Sequence, residues 1–295
     1  MELNLDVKAV LVNCGRPQSS FLSVRMHKLL WLLAGVLFTG CQHGALKVAS
    51  GPGGPWIVTA DGAIYGHTSS SGWQQKEPPG TADDLALDGV FLIILTKPDS
   101  QGVRSIKSRD LYATATPSTW TTYPPLGSIG IRQVESDGGK PVVLTEAPDQ
   151  RVYRYDSATQ AWKMIHEGAK EISVMNGRLF HLYPTTTTGN VWSRDVNGGL
   201  YTRWGDTLVA HKIAGDANGY PWVATDTSSN PLYKWDTENQ KWTFGFGSGS
   251  VFDMDIESYV KLYILSEPQI SGGGYTVYSH ELYSGGWTKY SLPSY

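Results

Sequence analysis

Cysteine is nearly absent: the 295 residues contain two, Cys14 and Cys41, both near the N-terminus. The long remainder has no internal disulfide, so a fold stapled by bridges is excluded. Charge is also sparse. Asp, Glu, Lys and Arg make up 17% of the chain, and 24 basic against 27 acidic residues leave a net charge of −3. That balance lacks the basic footprint that a nucleic-acid partner requires. Long apolar runs are missing too. The one of note, Leu29 to Phe38, has ten residues, whereas a helix needs about 20 to span a bilayer. Finally, there is no His or Cys cluster at metal-ligand spacing, no phosphate-binding glycine loop and no nucleophile elbow. Neither cofactor nor metal is expected, and the chain is read as a binding protein rather than an enzyme.

What is abundant points one way. The chain holds 11 Trp, 16 Tyr and 33 Gly, with 40% apolar residues. Aromatic and β-branched residues favour strands, and glycine supplies tight turns, so the composition is that of an all-β globular protein.

The N-terminal apolar run is preceded by His27-Lys28 and followed by Thr39-Gly40-Cys41. This layout of cationic, apolar and small-residue regions fits a signal peptide. With Cys directly after Gly40, it resembles a bacterial lipoprotein signal. The resemblance implies that the Cys41 thiol is acylated, that residues 26–40 are removed and that Gln42, not being Asp, permits transport to the outer membrane. Phe38 departs from that family's preferred Leu. An ordinary secretory signal or a membrane anchor are the alternatives. Because Met26 opens a signal of normal proportions, residues 1–25 read as an extension from a misassigned start.

The body is a repeat. Val191-Trp192-Ser193-Arg194-Asp195 aligns with Val277-Tyr278-Ser279-His280-Glu281 and with Ile106-Lys107-Ser108-Arg109-Asp110. The three serines lie 85 and 86 residues apart, and a fixed period over most of a chain signals a repeat architecture. A second landmark keeps the same beat. Strands beginning at Pro55, Pro141 and Pro221 each lead to an aliphatic-Tyr pair, Ile64-Tyr65, Val152-Tyr153 or Leu232-Tyr233, and then to Trp73, Trp162 or Trp242. The chain therefore divides into six modules of about 40 residues in three odd-even pairs.

Six modules of three or four short strands are what a β-propeller needs. Strands such as Phe91-Leu92-Ile93-Ile94-Leu95 are continuously apolar, as expected of a sheet buried on both faces. A six-bladed β-propeller over residues 41–293, built from three two-blade repeats, is predicted over a trefoil or paired sandwiches. Leu46-Lys47-Val48 would be innermost in the first blade, and Trp287 to Leu292 outermost in the last. The run from Ile172-Ser173-Val174 through Gly177-Arg178-Leu179-Phe180, and that from Asp61-Gly62-Ala63-Ile64-Tyr65 to Trp73, resemble the tectonin-type propeller repeat across residues 45 to 293. Kelch repeats share the Tyr155 to Trp162 hairpin, but the paired glycines that end a kelch strand are missing. Similarity to tectonins implies lectin-like recognition of glycan or lipopolysaccharide by loops.

Four constellations are candidate sites. In a strand, Ser279 and Glu281 point to one face and His280 to the other. The triplets Ser108-Arg109-Asp110, Ser193-Arg194-Asp195 and Ser279-His280-Glu281 are therefore read as polar links between blades rather than as a catalytic triad. An acid opens each even inner strand: Asp84, Glu171 and Asp253 would ring the channel mouth, hydrated or holding a cation. Polar loops run from Pro98 to Val103, Pro184 to Asn190 and Pro268 to Gly274. There Asp99, Ser100, Gln101, Thr186, Thr187, Asn190, Gln269 and Ser271 can bond sugar hydroxyls, and Trp192 and Tyr278 can stack on a sugar ring. The recurring Trp73, Trp120, Trp162, Tyr201, Trp242 and Trp287 are assigned to packing between blades. The expected function is a lipid-anchored envelope module binding glycan or lipopolysaccharide. A scaffold for an outer-membrane protein complex and a propeller hydrolase are the alternatives.

Overall fold

The computed structural model describes residues 12–13, 16–17, 45–112, 119–127, 129–184, 189–205, 208–225, 232–246, 250–257, 261–266, 275–282 and 285–293. The chain divides into two units. In the first, Met1–His43 with Ser294–Tyr295, the described residues form one antiparallel pair, Val12–Asn13 with Arg16–Pro17. Cys41 and the signal-like segment 26–40 lie outside the described residues.

The second unit, Gly44–Pro293, consists of six four-stranded antiparallel sheets, each built from four consecutive strands. Its innermost strands are Ala45–Gly51, Ala82–Asp88, Ile131–Asp137, Glu171–Met175, Ala210–Gly215 and Val251–Glu257. This is a six-bladed β-propeller, with the first and last strands placed where the repeat register puts them.

Both faces of each blade are buried, and the strand period decides which neighbour each side chain meets. In the strand Phe91–Thr96, Leu92 and Ile94 pack with Trp56, Val58 and Ile64 of the first blade. The intervening Ile93 and Leu95 pack with Ile131, Val134 and Val143 of the third. Six apolar clusters of this kind fill the six seams. Burying Val, Leu, Ile or Phe stabilises by roughly 1.5–3 kcal/mol each, and that is the main force holding the ring.

Five inner strands carry a bulge near their start, between Ala45 and Lys47, Ala82 and Asp84, Ile131 and Gln133, Ala210 and Lys212, and Val251 and Asp253. A bulge re-aims the side chain that follows it. The loop face carries the starts of the inner strands and the connections between second and third strands. The opposite, turn face carries the hairpins between first and second strands and the connections between third and fourth.

Candidate functional site

The repeated triplet resolves into three separate structural tasks. The serine bonds within its blade to the aromatic residue that ends the motif: Ser108 Oγ to Tyr123 Oη at 2.9 Å and Ser279 Oγ to Tyr290 Oη at 3.2 Å, while Ser193 Oγ accepts from Trp204 Nε1 at 2.9 Å. Each of these aromatics then packs on the next blade, and the indole N–H of Trp162, Trp242 or Trp73 donates to Pro124 O, Trp204 O or Ser291 O. The base faces the preceding blade. Arg109 pairs with Glu77 at 2.6 Å beneath Trp120, and Arg194 donates to Ile165 O at 3.0 Å and to Tyr201 Oη at 2.6 Å. His280 lies edge-on to Trp287.

The acid departs from its expected role as a link between blades. Asp110 and Asp195 accept the N–H of Tyr112 and Asn197 and close turns in their own blades, and Glu281 pairs with Lys261 at 2.8 Å in its own sheet. A short Asp side chain at a strand end reaches the backbone two residues on before it reaches another blade.

Glu77 and its counterparts were not legible as partners of the motif. At the seam between the third and fourth blades the counterpart of Glu77 is His166, whose ring centroid lies 3.9 Å from that of His181. His166 Nδ1 meets Tyr201 Oη at 3.1 Å, whereas His166 Nε2 and both nitrogens of His181 are buried without a hydrogen-bond partner. Burial first, then Arg194, pushes His166 down to about 4. Burial, His166 and Arg194 push His181 down to about 2, so both rings are neutral.

The channel is lined by one position repeated six times: Lys47, Asp84, Gln133, Glu171, Lys212 and Asp253. Only the three acids were anticipated, and they are bonded to protein rather than merely hydrated. An inner strand is a sheet edge whose channel-side N–H groups lack ladder partners, and buried N–H groups must find acceptors. Asp84 Oδ2 takes Val134 N at 2.9 Å, Gln133 Oε1 takes Ile172 N at 3.2 Å, and Asp253 Oδ2 takes Val48 N at 2.9 Å. Two residues deeper, Asp255 takes Ser50 N at 2.6 Å and Ser173 Oγ takes Gly215 N at 3.1 Å. Each acceptor serves the following blade. The two lysines bridge acids: Lys212 to Glu171 at 2.8 Å and Asp253 at 3.7 Å, and Lys47 to Asp84 at 3.7 Å.

The channel cavity is small, about 50 Å³. Burial raises Asp84 and Asp255 to about 6. Glu135 is pushed well above the usual carboxylate range by burial, then by Asp255 and Asp84. Burial opposes the charge on Lys47, but Asp84, Asp253, Glu171 and Glu135 together hold its ammonium above the ordinary value. Among the described residues no three His, Cys, Asp or Glu side chains are placed to hold a metal ion.

On the loop face, Thr186, Thr187, Gln269 and Ser271 lie outside the described residues. Asp99 Oδ1 accepts Gln101 N and Val103 N and so shapes its own loop. Asn190 is buried, with Oδ1 accepting Ala210 N and Nδ2 donating to Ala210 O, which welds the fourth blade to the fifth. Trp192 is walled by Tyr183, Tyr201 and the Arg203 guanidinium. Tyr278 packs against the apolar cluster between the last two blades. Ser100 and Gln101 are exposed.

The turn face carries a feature that sequence patterning did not single out. A cleft of about 410 Å³ opens between the fourth and fifth blades, lined by Met175, Asn176, Arg178, Asp195, Leu200 and Asn218 among others. Leu200 is 94% exposed, and Val90, Phe91 and Tyr112 of the second blade are exposed on the same side, Tyr112 by 62%.

Fold and sites define a β-propeller with structural polar seams, a channel whose charged lining is mainly acidic and an apolar-dotted turn face. No protein-family model matches the chain, and no curated protein matches it in sequence. Its likeness to solved structures lies in the fold. A nidogen/laminin complex aligns with a TM-score of 0.58 at 11% identity, over 77% of this chain and 88% of the other. YCF48 bound to D1 peptide aligns at 0.53 and 9% identity, over 85% and 83%. TolB from Acinetobacter baumannii aligns at 0.53 and 12% identity, over 82% and 67%.

Proposed function

We propose that the protein is a non-catalytic binding module of a bacterial cell envelope, tethered by lipid at Cys41, and that it engages a protein partner through the turn face. The observation that carries this is that the two most exposed large apolar side chains among the described residues, Leu200 and Tyr112, both lie on that face, Tyr112 beside Val90 and Phe91, while the loop face exposes Val103. Large apolar side chains gathered on one side of a folded protein mark contact surfaces. The polar side chains of the triplets are engaged in bonds within and between blades, which favours binding over chemistry. Propellers of similar fold are known in a nidogen/laminin complex and with a bound D1 peptide, which accords with a partner that is a protein.

Glycan or lipopolysaccharide recognition on the loop face is the second reading. It rests on exposed Ser100 and Gln101, while Asp99 and Asn190 are already occupied by backbone groups.

A photocrosslinking residue placed singly at Tyr112, Leu200, Ser100 and Gln101 in cells separates the two. The expected outcome is one discrete protein adduct from Tyr112 and Leu200. Adducts confined to Ser100 and Gln101, or to glycan, would overturn the protein reading.

A further inference from the structure

Among the described residues, the cleft between the fourth and fifth blades holds a cation, Arg178, that forms no salt bridge, although Asp195 lines the same cleft. In the sixth blade the cross-strand neighbours Lys261 and Glu281 are bridged at 2.8 Å. The fourth blade has the same pairing, Arg178 opposite Asp195, yet the two charges do not meet. Asp195 turns its Oδ1 to Asn197 N at 2.7 Å. Among the described residues Arg178 is held by neutral acceptors: Nε donates to Ser193 Oγ at 3.1 Å, Nη1 to Gly219 O at 3.4 Å and Nη2 to Thr202 Oγ1 at 3.4 Å.

Charge-assisted bonds to a carboxylate are shorter, about 2.7–2.9 Å, so these contacts position the guanidinium without neutralising it. The rings of Trp204 and Phe180, 5.6 and 6.0 Å from its carbon, hold its plane from beneath. The turns around it leave room. Asn176 and Gly177 both have positive φ, and a Cβ on Gly219 would stand 3.2 Å from Arg178 Nη1. At the lip stands Leu200, and Met175 and Ala217 line the wall.

We infer that this cleft binds a peptide segment of the partner that carries a carboxylate beside a bulky apolar side chain, the carboxylate on Arg178 and the apolar group against Leu200. The inference rests on the turn-face reading and gives it a recognition chemistry. The Arg fork suits a carboxylate bidentately, and Leu200 supplies apolar area that water otherwise covers.

The carboxylate can come from an Asp or Glu side chain or from a chain terminus. Three short N-acetylated peptides distinguish the sources: one with an internal Glu beside Leu and an amidated end, one ending in Leu with a free carboxylate, and one with Gln beside Leu and an amidated end. Titrated into the labelled protein, one of the two acids should shift the backbone amide signals of Gly177, Leu200 and Gly219, and the neutral peptide should bind roughly ten- to a hundred-fold more weakly. Arg178→Gln should show the same loss, and Arg178→Lys should retain part of the binding. Because Arg178 also supports Ser193 and Gly219, Leu200→Asp is the control that leaves the fold untouched, and it too should abolish the shifts.

Equal binding of acid and neutral peptides, no response to either acid at millimolar concentration, or full binding by Leu200→Asp would overturn the inference. A persistent crosslink at Tyr112 with no peptide response would sink this site alone. Loss of all turn-face crosslinks would sink the reading beneath it.

Discussion

At the residue scale, a repeated sequence pattern proved to be three different bonds. Ser193 is the most heavily used of the triplet serines: it is fully buried and accepts from both Trp204 Nε1 and Arg178 Nε. Ser193→Ala would leave a buried indole N–H without an acceptor and should cost about 1–3 kcal/mol, read as a lower midpoint in urea unfolding. The same change at Ser108 should cost less, since the Tyr123 hydroxyl can rotate to another partner. Alternation along a strand was enough to separate serine from base. It could not tell where the acid would go, because an Asp at a strand end chooses between its own turn and a neighbouring blade by a reach that only the backbone path sets. The apolar repeat positions, with Trp73, Trp120, Trp162 and Trp242, were legible for the opposite reason: their packing follows from period alone. Tyr201 and Trp287, assigned to the same packing, are instead each 44% exposed, because they sit at the outer edge of their blades with no further sheet to cover them.

At the element scale, the seam between the third and fourth blades differs from that between the first and second. Where the first seam has the Glu77–Arg109 ion pair, this one has two neutral histidines in close, tilted contact beside Arg194. Both histidines have folded-state values depressed below the ordinary value of 6.5, to about 4 and about 2. The unfolded chain therefore binds more protons than the folded one below that ordinary value. The resulting stability is fully present above it and is lost as pH falls toward the folded values. Asp84 and Asp255 act with the opposite sign. Their folded values are raised to about 6, so their contribution is lost as pH rises through that point. A comparison isolates the histidines: His181→Phe keeps an aromatic ring in that place but cannot be protonated. Its stability relative to the parent chain, followed by urea unfolding, should rise as pH falls from about 7 to about 5. A difference that does not change with pH would show that the pair is not buried neutral. Nothing in the spacing of the sequence marks this seam, since His166 and His181 lie on different blades and meet only through packing.

At the scale of the whole molecule, the ring is closed without a shared sheet. Every blade is made of consecutive strands, so no strand from one end completes a sheet begun at the other. The last blade is joined to the first by apolar packing around Tyr65, Tyr263 and Leu265, by Trp73 Nε1 donating to Ser291 O, and by Asp253 and Asp255 accepting Val48 N and Ser50 N. Replacing both acids by Ala should release those two amides first. Hydrogen exchange at Val48 and Ser50 should accelerate before exchange at Val134, whose acceptor Asp84 remains. Uniform acceleration around the ring would mean that the seams open together. The sequence by itself determined the strand period, the number of modules and the apolar faces, because these depend on local alternation and on repetition along the chain. Tertiary structure alone decided which groups the channel residues bond, the histidine pair and the cleft at Arg178. Each joins groups about 15 to 205 residues apart, and whether two charges meet depends on bulges and turns that fix side-chain direction in three dimensions.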